Sequence, residues 1–215
     1  MLDLTPYLRD IGGLHQQAEE QRRALSSEEF INKAPQLAEA MRTIQTTQGY
    51  WRDVIVHRDG SVEATEWSHN LVVNVFANLA AALVLGNGAG GLGTVYSGVQ
   101  YMAVGTGLVA WDTSTPAPIL TDVQLVTELA RKVVSVQFVD SLGNVVAGPV
   151  NTILVTCTFN VGEANGDLRE WGLFGGNATA IVNSGIMVDH VNTTKLTKPS
   201  GVSDFSLTRL VTLIF

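Results

Sequence analysis

An α+β fold is predicted by three features of the 215-residue sequence: helical spacing ahead of Gly49, an apolar block from Leu71 to Leu85, and period-two alternation over much of the chain from Trp51 to Phe215. Together they predict N-terminal helices followed by a mainly antiparallel, jelly-roll-like β-sandwich with one buried helix. The division falls at residue 49/50. Residues 1–49 read as a helical attachment and oligomerisation segment, and residues 50–215 as a β-rich structural domain.

The helical segment rests on a capping box and a seam. "SSEE" at Ser26–Glu29 lets a hydroxyl accept from a free backbone N–H while the glutamate reaches back. Phe30, Ala34, Leu37, Met41 and Ile44 follow at spacings of four and three, a stripe of about two heptads. Pro35 either starts this helix or kinks it. Such a stripe packs on its own domain or bundles with copies of itself, and we name these five residues as the expected oligomer seam.

From Trp51 the period changes. Asp59-Gly60 lies between two extended runs and predicts a hairpin with a type I′ turn. Leu71–Leu85 is apolar nearly all round and ends at Gly86, which predicts the buried helix and its C-terminal cap. "LTDVQLVTELARK" (Leu120–Lys132) reads as a short helix or turn. Ile153, Val155, Cys157, Phe159 and Val161 then alternate with a face that is mostly Thr and Asn, the cleanest strand in the chain. The closing strand places Phe205, Leu207, Val211, Leu213 and Phe215 on one face.

Composition narrows the function. The chain is 46% hydrophobic and 15% charged, against about 25% charged for an ordinary soluble domain. A charge-poor surface points to a partner. Net charge −7 opposes nucleic-acid binding, which needs a basic footprint. The opening residues hold acids and no long apolar run, so they do not read as a signal peptide, and no segment reads as a membrane span.

The search for chemistry finds little. The four histidines are scattered and Cys157 stands alone, so neither a metal site nor a disulfide is expected. Gly86, Gly88 and Gly91 fit G-x-G-x-x-G, but the preceding strand and following helix that a dinucleotide site requires are not predicted. No cofactor is expected. "LREWGLFGG" (Leu168–Gly176) puts Arg169 and Glu170 among large apolar residues of a strand. A buried carboxylate needs partners, either backbone N–H groups or a cation. Arg131 and Arg209 are the expected cations, which makes Glu128, Arg131, Glu170 and Arg209 a candidate set of structural buried polar residues.

The order of segments "HNLVVNVFANLAAALV", "VQYMAVGTG", "LVTELARKVV", "GDLREWGLFGG" and "VNTTKLTKPSGVSDFSLTRLVTLIF" resembles tailed-bacteriophage virion proteins of the tail-fibre, collar and baseplate kind, over roughly Arg52 to Phe215. The resemblance implies a non-enzymatic structural subunit located in the virion. It would join or decorate the tail, neck or baseplate as a symmetric oligomer, a homotrimer in contact with other virion proteins. It implies fold-defining roles for Leu125, Glu128, Arg131, Glu170, Gly172, Leu173 and Phe174. A rival reading is a receptor- or glycan-binding module with Trp111 or Tyr96 stacking on sugar. A depolymerase would need a carboxylate pair in a cleft, and the sequence offers no convincing one.

Overall fold

The computed structural model describes Gln16 and residues 48–73, 75–76 and 97–214. The predicted N-terminal helices and the seam Phe30, Ala34, Leu37, Met41 and Ile44 lie outside the described residues. What is described is nearly all β, which corrects the α+β class. Eleven strands run in chain order: β1 (Gln48–Val56), β2 (Val62–Ala64), β3 (Ser68–Val72), β4 (Ser97–Gly105), β5 (Glu128–Val133), β6 (Ser135–Val139), β7 (Val145–Val146), β8 (Thr152–Phe159), β9 (Gly166–Gly176), β10 (Ile186–Lys198) and β11 (Ser206–Ile214).

They form one antiparallel sheet, ordered β5-β4-β9-β10-β3-β1-β11-β8-β6-β7, with β2 attached to β1. A two-sheet jelly roll is therefore also corrected. The sheet has two wings joined through β3. Ser68–Asn70 of that strand pair with β1, while Leu71 and Val72 pair with β10. At the far side, only Val134 separates β5 from β6, so the chain passes directly from one wing into the other.

The wings share a core. Val104, Trp171, Leu173 and Val191 from one pack in the same cluster as Cys157, Phe159, Leu207, Val211 and Leu213 from the other. Each wing also carries a smaller apolar cluster. Val54, Val139, Leu154 and Leu210 form one, with Trp67 packed on it. Ala103, Leu125, Phe174, Ala178 and Met187 belong to the other. Central strands are thereby buried on both faces: every residue of β9 from Leu168 and every residue of β11 from Leu207 is buried. This is why "LREWGLFGG" is apolar on both sides, and why β11 lacks the single apolar face expected of it.

Three local expectations also change. Leu71 and Val72 end a strand, and the rest of the supposed buried helix falls largely outside the described residues. Glu128–Val133, expected as helix or turn, is β5, because pairing with Tyr101–Gly105 of β4 overrides the helical spacing of Leu125 and Leu129. The β1–β2 hairpin exists, but its turn is not type I′. Gly60 has φ +86° whereas Asp59 is not in the left-handed region that type I′ demands. Asp59 instead accepts from Ser61 N–H at 2.9 Å, and Gly60 N–H bonds the His57 carbonyl.

Candidate functional site

Glu170 is 1% exposed and is held by backbone donors rather than by a cation. Its Oε1 accepts from Thr127 N–H at 2.8 Å and Gly107 N–H at 3.1 Å, and its Oε2 from Val126 N–H at 2.8 Å. The His190 Nε2 lies 3.6 Å from Oε2, beyond hydrogen-bonding reach but close enough to attract it. Burial pushes the Glu170 carboxyl up, but His190 and the Thr127 and Val126 N–H groups outweigh it and hold the pKa below the ordinary value. Gly105 makes the room: a Cβ there would sit 2.5 Å from Glu170 Oε1 and 2.6 Å from the Thr127 carbonyl.

These bonds fasten a strap. Residues 106–127 connect β4 to β5 and are held by both faces of β9, since Arg169 and Glu170 are successive residues of that strand. Glu170 grips the strap near both ends. His190 Nδ1 meets Asp122 Oδ2 at 2.7 Å, and Asn192 donates to the Pro116 carbonyl at 3.1 Å. Arg169 makes a forked pair with Asp112 at 2.6 and 2.9 Å and also bonds the Thr106 carbonyl. Arg169 holds the Asp112 carboxyl down to about 2. Trp111 is buried against Gly107 and the Arg169 stem, so it offers no face for stacking on sugar; Tyr96 lies outside the described residues.

The expected pairing of Glu170 with Arg131 or Arg209 is thus corrected. Arg131 forks onto Glu128 at 2.6 and 2.7 Å and donates to the Ser184 carbonyl, with its guanidinium 4.7 Å from the Phe174 ring. Arg209 forks onto Asp53 at 2.5 and 2.6 Å, one partner on each of two neighbouring strands in register. Sequence reasoning did not single out Asp53 in "WRDVIV". Lys198, fully buried, pairs with Asp204 at 2.5 Å. Burial opposes the charge on Asp204, but Lys198, Asn165 and two backbone N–H groups hold its carboxyl well below the usual range. Cys157 is buried, and burial pushes its thiol up to about 12, so it is no nucleophile.

Asp189 differs from these acids. It has 0% exposure and accepts from Asn70 Nδ2 at the point where β3 changes neighbours. Burial raises its pKa well above 3.8, and among the described residues no cation counters it. Both Asp189 Oδ1 and Asn70 Oδ1 are buried without a hydrogen-bond partner among the described residues. A protonated carboxyl resolves both, because its O–H can donate to Asn70 Oδ1 and close a reciprocal pair. The folded state then binds this proton more tightly than the unfolded chain, so this group's stabilisation is complete in acid and declines as pH rises from about 3.8 through the raised value. Asp189→Asn keeps the pair neutral. Relative to wild type it should gain stability with rising pH, by at most ~1.4 kcal/mol per pH unit. Parallel thermal melts of both proteins from pH 5 to 9 check this, and a constant difference would refute it.

Among the described residues no group of three His, Cys, Asp or Glu side chains could hold a metal ion, and no helix is long and apolar enough to cross a membrane. Five carboxylates are each held by a cation or by backbone donors: Glu170 and Asp112 tie the strap, Asp53 on β1 meets Arg209 on β11, and Glu128 and Asp204 pair with cations close by in the chain. Compared with protein-family models, curated proteins and solved structures, the chain matches none.

Proposed function

We propose that the chain is a non-enzymatic structural subunit of a phage virion, assembling with copies of itself and with other virion proteins. One observation supports this reading most: the strap over residues 106–127 is pinned by buried polar groups and by Leu125 in the core, while several of its other aliphatic side chains face outward. Val109 is 77% exposed, Ile119 60%, Val123 55% and Val126 53%. A connection fastened by so many bonds has little freedom to fold these side chains away, and a second subunit would cover them. The sparse charge of the chain agrees.

The test is assembly. Light scattering on the full chain at high micromolar concentration should give a multiple of the 23.0 kDa mass. Val109→Glu combined with Val123→Glu should reduce that mass without changing the far-ultraviolet circular dichroism. A wild-type monomer, or an oligomer indifferent to both substitutions, would overturn the strap as the assembly surface. Antibody raised against the chain should label purified phage particles in negative stain, and unlabelled particles from an infected lysate containing the protein would remove the virion assignment.

A further inference from the structure

A lysine seldom lies wholly buried. Lys198, the last residue of β10, is 0% exposed, and its Nζ sits 5.5 Å from the Phe205 ring centroid. Nζ touches two oxygens, Asp204 Oδ1 at 2.5 Å and the Asn160 carbonyl at 3.2 Å. A buried ion pair contributes little net stability over an apolar pair of the same volume, because desolvation offsets the attraction. A desolvated amine beside a proton acceptor is also the arrangement that makes lysine a nucleophile.

An electrophile stands next to it. Lys198 pairs with Gly166 across β10 and β9, so Asn165 is one residue from that register point. The Asn165 amide donates to the Pro199 carbonyl and also reaches the Asp204 carboxylate. Asp204 thus contacts both the lysine ammonium and the asparagine amide. Gly162 N–H at 2.6 Å and Phe205 N–H at 2.7 Å donate to the same carboxylate and hold it in place.

We propose that Lys198 and Asn165 join in an intramolecular isopeptide bond, with Asp204 moving the protons. Asp204 takes one proton from the ammonium. The freed lone pair of Nζ attacks Asn165 Cγ and forms the Nζ–Cγ bond. Asp204 returns its proton to Nδ2, the Cγ–Nδ2 bond breaks, and the departing ammonia takes up a second lysine proton. A lysine ammonium and an asparagine amide thereby become one secondary amide and an ammonium ion, with no outside reagent. Asp204 is not the electrophile, since its negative charge repels an amine lone pair. The bond ties the start of β9 to the end of β10, and it does not depend on the strap or on the assembly reading.

Intact mass spectrometry of the purified full chain tests this. The expected mass lies about 17 Da, one ammonia, below that of the sequence. Tryptic digestion should yield a branched product joining the peptide that holds Asn165 to the peptide that holds Lys198. Lys198→Met and Asn165→Ala should each show their full sequence mass. A succinimide at Asn165-Gly166 also loses ammonia, but it leaves the two peptides separate and persists in Lys198→Met; that result overturns the proposal. So does a loss of about 18 Da, which is water and puts the bond at Asp204. A wild-type chain that keeps its full mass after prolonged incubation in neutral buffer overturns it as well. A branched product in Asp204→Asn would overturn the proton transfer assigned to Asp204.

Discussion

Replacing Glu170 by Ala is expected to destabilise the protein by about 3–5 kcal/mol, because three backbone N–H groups lose their acceptor at once and each buried orphan costs about 1–3 kcal/mol before relaxation. For a chain of this size that is a fall of roughly 6–20 °C in melting temperature. Glu170→Gln should recover only part of the loss. Its oxygen can replace Oε1 and serve Gly107 and Thr127, but its NH2 then faces the Val126 N–H, donor against donor. Acid should reproduce the effect in wild type. The folded pKa of Glu170 lies below 4.5, so its stabilisation is complete above that pH and disappears as pH falls through the folded value. The Gln variant has no such proton to gain, and its difference from wild type should shrink in acid. Hydrogen exchange adds the spatial readout: the Val126 and Thr127 amides should lose protection first. An Ala variant with unchanged melting and unchanged exchange at those amides would show that the carboxylate does not pin the strap.

Little of this anchor was legible in the sequence. That Glu170 needed partners followed from its place in an apolar strand. That the partners were Gly107, Val126 and Thr127 did not, because they lie 63, 44 and 43 residues away and a backbone N–H leaves no mark on sequence. The available hint was "AVGTG", where Gly105 and Gly107 admit the carboxylate and the Trp111 ring. The strand of Thr152–Phe159 was readable because β8 carries a mixed apolar and threonine pattern. β5 was not, since Leu125 and Leu129 repeat at helical spacing and only β4 decides between the two conformations. β9 and β11 were readable as strands but not as central ones, because a residue pattern does not say which loops will roof the second face. "IMVDHV" held the remaining clue: Asp189 and His190 interrupt an apolar strand, one facing Asn70 and the other the strap.

The second large effect is expected at the wing interior, where Arg209 lies between the indoles of Trp51 and Trp171, 4.9 and 5.0 Å from their centroids, and forks onto Asp53. Removing one partner strands the other. Arg209→Ala and Asp53→Ala should each cost about 3–5 kcal/mol, since both side chains are almost wholly buried. The pair as a whole is another matter. Desolvating two charges offsets most of their attraction, so an apolar replacement of similar volume, Asp53→Leu with Arg209→Met, should stand within about 1–2 kcal/mol of wild type in either direction. Arg209→Lys should fall between these limits: an ammonium keeps the charge but loses the fork and the planar stacking on both rings. The cycle therefore separates two roles. If the double variant matches wild type in stability yet populates more than one sheet arrangement by NMR, the ion pair sets the β1–β11 register. If the double variant is as unstable as the sum of the two single changes, the two residues do not act as a unit, and the register must come from the apolar contacts of Leu207, Val211 and Leu213 alone.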